Sequence, residues 1–303
     1  MLWYESLDKK IEEYLPDLPV EKEVPLNRHT SFRIGGAARR MAFPKSREQL
    51  VILMGFARDC GVRPFILGKG TNLLVSDAGL DTLVIKTSQN LTSVRRLDAE
   101  TLEADAGISL SHLAVFAQQS ALTGLEFAHG IPGSLGGAVY MNAGAYGGEM
   151  SQVISEVTAL FPDGVQRLTG EELGFSYRHS IFTDIGGIVL GAKLRLKEGD
   201  KQAIRRKMEE LMARRKGSQP LEYPSAGSTF KRPEGNFAGA LIEQAGLKGL
   251  TVGGAQVSEK HAGFIINTGD ATCEDVKRLI SEVQKRVLEK SGVMLEPEVK
   301  IIP

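Results

Sequence analysis

Gly124-Leu-Glu-Phe-Ala-His-Gly-Ile-Pro-Gly-Ser-Leu-Gly-Gly-Ala-Val-Tyr-Met-Asn-Ala-Gly-Ala-Tyr-Gly-Gly148 is the stretch on which the reading of the chain turns. Between Gly130 and Gly148 seven of the nineteen residues are glycine, separated by small residues and almost free of charge. That composition suits neither an ordinary helix nor an ordinary strand. A flexible linker is disfavoured, because Leu125, Phe127, Ile131, Leu135, Val139 and Met141 are interleaved with the glycines and demand burial. A buried, irregular backbone presents N–H groups that need an acceptor, and a bound diphosphate would be one. On this stretch alone a cofactor cradle and a plain set of turns needing positive φ both remain open.

Outward from it, the chain has 303 residues, room for two domains or one domain with an appended lobe. Its 37 basic and 37 acidic residues cancel, so no global field points to nucleic acid or to a membrane surface. Cys60 and Cys273 form no C-x-x-C or Cys/His cluster, so neither a disulfide nor a metal site is expected. The opening Met1 to Lys10 lacks a basic head and an apolar run, and no apolar run approaches a membrane span. A cytoplasmic, monomeric protein is the expectation.

Towards the N-terminus, Leu2, Trp3, Leu7, Ile11, Tyr14 and Leu15 fall at helical spacing until Pro16 and Pro19. In Asn27 to Gly36 a double glycine follows a short apolar strand. Ser46-Arg-Glu-Gln49 predicts a capped helix through Leu50, Leu53, Met54 and Ala57 to a stop at Gly61. Arg63 to Val75 predicts a strand, a tight Gly68-Lys-Gly-Thr-Asn72 turn and a second apolar run. The Lys69 and Thr71 pair lacks P-loop spacing and no helix pattern follows, so that turn is at most an anion nest. Strands are predicted at Leu83 to Lys86 and Leu102 to Ala106, and a helix from Ser109 to Gln119.

Beyond the glycine stretch, Asp163-Gly164 predicts a hairpin within Val157 to Thr169, and Ile188 to Leu196 reads as another strand. A composition shift at Lys197-Glu-Gly-Asp200 suggests a lobe boundary, followed by a helix with Ile204, Met208, Leu211 and Met212 inward and a basic end, Arg214-Arg-Lys216. Pro224 to Pro233 reads as a small-residue loop. A long helix capped near Thr272 carries Val276, Leu279, Ile280, Val283 and Val287 on one face, and Leu295 to Ile302 reads as a terminal strand.

Four segments together resemble one family. They are Gly68-Lys-Gly-Thr-Asn-Leu-Leu-Val75, the run Gly130 to Gly147, Tyr177-Arg-His-Ser-Ile-Phe182, and Pro224-Ser-Ala-Gly-Ser-Thr-Phe230 with the terminal Leu295-Glu-Pro-Glu-Val299. In this order they are similar to the UDP-N-acetylenolpyruvoylglucosamine reductases, flavoenzymes that make UDP-N-acetylmuramate for bacterial cell walls. The likeness runs from about Asn27 to the C-terminus. It implies an α+β fold of the FAD-binding PCMH type with two subdomains, then a C-terminal α/β substrate-binding lobe. The implied division is a helical segment over 1–26, an FAD-binding domain over 27–197 and a substrate-binding domain over 198–303. Only about fifty residues separate Arg178 from Ser228, so the chain resembles the family's shorter, type II form. The tyrosine that closes over substrate in the longer form is not carried over.

The implied reaction passes a hydride from NADPH through FAD to an enolpyruvyl carbon and then protonates the adjacent carbon. An enol ether accepts hydride only if the enolate developing at its carboxylate is stabilised, which calls for a fixed cation. Arg178 matches that position, with Tyr177 beside it as a substrate contact. Ser228 matches the proton donor, a weak acid that suffices because a carbanion-like enolate is a strong base. Its bland alternative is a turn serine capping its own loop. Glu298 matches the third catalytic position. Spacing does not separate it from Glu296, which would share its face in a strand; only the motif favours the second glutamate.

The likeness further implies that Gly68, Lys69, Gly70, Thr71 and Asn72, with Gly133, Ser134, Gly136 and Gly137, hold the FAD diphosphate. Asn142, Gly144, Ala145, Tyr146 and Gly147 would lie beside the flavin. No histidine in these segments suits a covalent flavin link, so FAD is expected to bind non-covalently, with NADPH as co-substrate. Lys216 and Arg232, the cations at either end of the serine loop, are the candidates for the substrate diphosphate, although the longer form has asparagine where Arg232 stands. The competing functions are a flavin oxidase of the same fold superfamily and a non-catalytic nucleotide-binding protein.

Overall fold

The computed structural model describes residues 2–303. Eight helices are present among them: α1 (Trp3–Tyr14), α2 (Arg47–Asp59), α3 (Leu110–Gln119), α4 (Leu135–Tyr140), α5 (Ile181–Asp184), α6 (Lys201–Ser218), α7 (Ala238–Gln244) and α8 (Cys273–Ser291). The chain divides into two compact units, neither contiguous in sequence. The first comprises 1–22, 40–69 and 82–214, and the second comprises 23–39, 70–81 and 215–303.

One sheet lies wholly within the first unit, and a second contributes strand residues 20–22, 40–42, 65–67 and 82–86 to it. In the former, an antiparallel five-stranded sheet, the strands run in the order Gly164–Thr169, Ile154–Phe161, Ile188–Arg195, Thr101–Asp105 and Val94–Arg96. Its first pair is the hairpin that Asp163-Gly164 signals in the sequence. The inward side chains of this sheet, among them Leu102, Val157 and Leu194, share one buried cluster with Leu110 and Leu113 of α3. The other sheet runs in the order Val20–Pro25, Ala37–Ala42, Leu80–Lys86 and Phe65–Leu67, the last two strands parallel. Leu83 and Ile85 pack there against Leu50, Leu53 and Ala57 of α2 and Leu7 and Ile11 of α1. Each such fully buried aliphatic side chain contributes roughly 1.5–3 kcal/mol relative to exposure. Helix α2 begins where Ser46 accepts a hydrogen bond from the Gln49 N–H, as its capping signature predicts.

The second unit contains a four-stranded antiparallel sheet ordered Ser225–Ser228, Phe264–Asn267, Ala255–Val257 and Thr251–Val252. Helices α7 and α8 pack on it through Leu241, Ile242, Val276, Leu279 and Val283. The last strand, Lys300–Ile302, pairs in parallel with Leu73–Val75.

Several expectations are corrected. Glycine density does not prevent helix in the central stretch, since Leu135 to Tyr140 form α4 with Leu135, Ala138 and Val139 buried. Burial of one apolar face outweighs the low helix propensity of Gly136 and Gly137. Asn27 to Gly36 contains no strand before its double glycine; Arg33 turns at φ 56°, and the strand begins after the glycines at Ala37. The serine loop is in part a strand, because Ser225 and Ser228 pair with Ile266 and Phe264 around a bulge. The terminal segment forms a strand only over Lys300–Ile302. Ile204 and Met208 of α6 sit in the core of the first unit, and the compact units part after Arg214.

Candidate active site

In the first unit the two halves of the glycine-rich stretch do different things. Ahead of α4, Leu110 N–H donates to the Gly133 carbonyl and Leu135 N–H to the Ile108 carbonyl, while Gly136 N–H donates to the Ala106 carbonyl at 2.7 Å. Ser134 precedes α4 with its side chain 3 % exposed and its hydroxyl leaving the helix uncapped. A Cβ at Gly68 would collide with that hydroxyl, which brings the Gly68-Lys69 end of the first turn directly against the second glycine segment. At Gly137 a Cβ would meet nothing nearer than the same hydroxyl at 3.6 Å, so one side of this segment is open. Lys69 itself is exposed.

After α4, Gly144–Ala145 and Gly148–Glu149 form a two-stranded ribbon closed by Tyr146 and Gly147, both at positive φ. Asn142 is 1 % exposed, and its polar atoms are fully engaged. Its amide donates to Glu149 Oε1 at 3.2 Å and to the Ser176 carbonyl at 3.0 Å, and its oxygen accepts from Ser151 N–H at 2.9 Å. Asn142 is therefore the brace between the ribbon and the turn that carries Arg178. In that turn Ser176 and His179 exchange backbone hydrogen bonds, and Arg178 adopts φ 56°. Its guanidinium lies 5.0 Å over the Tyr177 ring and makes a long 3.5 Å contact to the Gly144 carbonyl. His179 bonds the Gly174 carbonyl and Asp184, which closes the turn from its other side. A left-handed arginine held this way presents a fixed cation, and Tyr177 is half exposed beside it.

The remaining candidates lie in the second unit. Gly70 sits at φ 66°, and a Cβ there would collide with the His29 carbonyl oxygen, so only glycine fits. Thr71 follows it in the same turn. Asn72 spends its amide on the Glu298 carbonyl at 3.2 Å, while its own carbonyl accepts from Lys300 N–H at 3.0 Å. Glu298 N–H donates to the Thr229 carbonyl at 2.8 Å, which sets the terminal glutamate beside the residue that follows Ser228. Thr229, buried, also donates its N–H to the Gly263 carbonyl and accepts Ile265 N–H on its hydroxyl. Ser228 is exposed at the edge strand, next to Gly227 at φ 78°.

The two glutamates that spacing left equivalent differ in surroundings. Glu296 is 68 % exposed and paired with Lys231, whereas Glu298 is part-buried between the Thr229 and Asn72 contacts. Lys216 lies exposed near the end of α6, its carbonyl accepting from Lys260 at 2.8 Å. Arg232 stacks 4.0 Å over Phe237.

Two polar groups escaped the sequence reading, both in the first unit. His129 Nδ1, within the central stretch, is buried without a hydrogen-bond partner, and burial lowers the imidazole pKa so that it stays neutral near pH 7. Lys86 is buried at the end of its strand. Lys86 is a lone polar residue in an apolar strand and His129 follows a short turn of 3-10 helix, and neither position carries a local signal; only burial marks these two. An unsatisfied buried nitrogen, a largely buried lysine and an open glycine segment in one unit fit a large polar ligand such as a flavin nucleotide. Among the described residues no cluster of three or more His, Cys, Asp or Glu could hold a metal, and no helix is long and apolar enough to cross a membrane.

Comparison with known proteins agrees. The family description "UDP-N-acetylenolpyruvoylglucosamine reductase, C-terminal domain" matches residues 219–302, and "FAD binding domain" matches residues 38–169. The UDP-N-acetylenolpyruvoylglucosamine reductase of Caldanaerobacter subterraneus subsp. tengcongensis is 52 % identical over 301 residues, covering 98 % of each chain. That of Agathobacter rectalis is 48 % identical over 306 residues, covering 97 % of each. The crystal structure of the corresponding reductase from Thermus caldophilus superposes with a TM-score of 0.80 at 39 % identity, over 94 % of this chain and 100 % of that one.

Proposed function

The chain belongs to the UDP-N-acetylenolpyruvoylglucosamine reductase family, and from that membership we propose that Arg178, Ser228 and Glu298 carry its chemistry. It is an FAD-dependent oxidoreductase that consumes NADPH and converts UDP-N-acetylenolpyruvoylglucosamine to UDP-N-acetylmuramate, a step in peptidoglycan precursor synthesis. When bound, FAD provides the hydride that reaches the enolpyruvyl carbon.

The protein's own residues have three tasks. Gly68, Lys69, Gly133, Ser134, Gly136 and Gly137 in the first unit, and Gly70, Thr71 and Asn72 in the second, are assigned to holding the cofactor without a covalent link. Gly144, Ala145, Tyr146 and Gly147 are assigned to its flavin end, with Asn142 as their brace. Arg178 stabilises the carboxylate as negative charge develops on it, and its left-handed turn keeps the guanidinium from having to reorganise during the reaction. The Ser228 hydroxyl delivers the proton to the adjacent carbon, with the Glu298 carboxylate as its neighbour in the same unit. Tyr177, Lys216 and Arg232 are assigned to the substrate.

The observation that carries this reading is the hydrogen bond from Glu298 N–H to the Thr229 carbonyl, which supports Glu298 over Glu296 as the partner of the serine. The flavin role of 27–197 and the substrate role of 198–303 are supported by the separate family matches over 38–169 and 219–302. Free Cys60 and Cys273 support a reducing, cytoplasmic setting, and light scattering tests the further reading that the protein is a monomer.

Purified protein should be yellow and should consume NADPH only when the enolpyruvyl nucleotide sugar is present. Oxygen uptake at full rate without that substrate would instead identify a flavin oxidase, and a colourless protein unable to take up FAD would identify a nucleotide-binding protein. Ser228→Ala should leave the NADPH half-reaction intact while slowing the substrate half-reaction by roughly 10²–10⁴-fold. Equal damage to both halves would make the serine structural.

A further inference from the structure

Lys86 ends the strand Leu80–Lys86 and is 8 % exposed. Leu83 and Ile85 face the core beneath α2, so strand alternation turns Val84 and Lys86 to the opposite face. Across the parallel pair its register partner is Leu67, the residue before Gly68. The residues after Lys86 close on the same place: Thr87 N–H donates to the Leu67 carbonyl at 2.9 Å and the Ser88 hydroxyl to the Gly68 carbonyl at 3.0 Å. Gly68 in turn abuts the buried Ser134 hydroxyl. Lys86 thus lies in the first unit where its two glycine-rich segments meet.

Its ammonium has no carboxylate or other hydrogen-bonding partner among the described residues. Charges on the surrounding elements are already engaged. On the neighbouring strand Arg40 pairs with Asp8, and Arg39 with Glu23 and Asp81; from α2, Arg47 pairs with Asp105. Phe65–Leu67, Ala106-Gly107 and Ser134 to Gly137 carry no charge. The charge that acts on Lys86 is Lys69, a second cation, and together with burial it pushes the Lys86 pKa down to about 8, burial being the larger cause. An uncompensated cation on a mostly buried side chain beside a like charge is costly, and a doubly charged anion offsets that cost.

We propose that Lys86, with Lys69, binds the diphosphate of the flavin nucleotide from within the first unit. This rests on the flavin reading above. A diphosphate beside the ammonium raises its pKa, so binding takes up a proton above pH 8. Below pH 8 the lysine is already charged and affinity is flat. Above it the lysine must be protonated on binding, and affinity falls by up to about tenfold per pH unit.

FAD and ADP are titrated into the flavin-stripped full chain, with riboflavin as the probe that lacks a diphosphate. Wild type should bind FAD and ADP roughly tenfold more weakly at pH 9 than at pH 7. At pH 8.5, calorimetry in two buffers of different ionisation heat should register proton uptake. Lys86→Met should weaken FAD and ADP at pH 7 by roughly tenfold or more, leave riboflavin unchanged and flatten the pH profile. Lys86→Arg should keep the affinity while losing the pH dependence, which separates a lost charge from a lost fold. A wild type flat between pH 7 and 9, or a Lys86→Met variant that binds ADP as wild type does, overturns the proposal. A wild type that takes up no FAD at all overturns the flavin reading with it.

Discussion

Glu296 and Glu298 show what residue-level spacing can and cannot decide. Two residues apart, they would share a face if the segment were a strand, but the strand begins only at Lys300. The Phe230 and Pro297 bridge instead leaves Glu296 on the surface with Lys231 and Glu298 against Thr229. An exposed ion pair contributes at most about 1 kcal/mol, so Glu296→Gln should leave turnover and stability near wild type. Glu298→Gln should lower kcat by roughly 10²-fold or more with the fold intact by circular dichroism. If the two variants behaved alike, the catalytic assignment of Glu298 would fall. Asn142 teaches the complementary lesson. The family likeness places it beside the flavin, and its amide and oxygen are engaged by Ser176, Glu149 and Ser151. Those bonds tie the ribbon to the turn that carries Arg178.

At the scale of the element, helices whose boundaries are written in local chemistry were legible. Helix α8 is the clearest case: Thr272 accepts Asp275 N–H at 3.0 Å, Asp275 accepts Thr272 N–H at 3.1 Å, and Gly292 ends the helix at φ 71°. Thr272→Ala should cost ~1 kcal/mol in chemical denaturation, and a loss below about 0.3 kcal/mol would mean that the cap is replaced by water. The backbone and side-chain hydrogen bonds from Thr272 hold the Asp275 carboxyl below its ordinary value. A carboxylate depressed in the folded state contributes above its unfolded pKa and stops contributing as pH falls through the folded one. The effect of Thr272→Ala should therefore shrink in acid. Helix α4 and the Ser225–Ser228 strand were not legible, because their residues have weak intrinsic preferences and take their form from the cluster or sheet that receives them.

For the whole molecule, ligand binding and stability are linked. Free FAD at a hundred times its Kd should stabilise the protein by ~2.7 kcal/mol and raise Tm by roughly 5 °C, climbing with the logarithm of FAD concentration. A melting temperature indifferent to FAD would remove the cofactor from this fold. The sequence by itself determined the capped helices, the 163–164 hairpin and the four segments whose likeness to the family implied the α+β class, because caps, turns and short motifs depend on residues a few positions apart. Only the tertiary structure decided that 23–39 and 70–81 join the C-terminal unit, that Glu298 backs onto Thr229 while Glu296 faces solvent with Lys231, and that Lys86 is buried without a counter-charge. The central glycine stretch divides in the same way. Its composition announced close backbone approach, but what approaches it, Ser134 against Gly68 and Asn142 against Ser176, comes from parts of the chain that meet only on folding. Burial and long-range hydrogen bonding are properties of the assembled chain, and no local pattern encodes them.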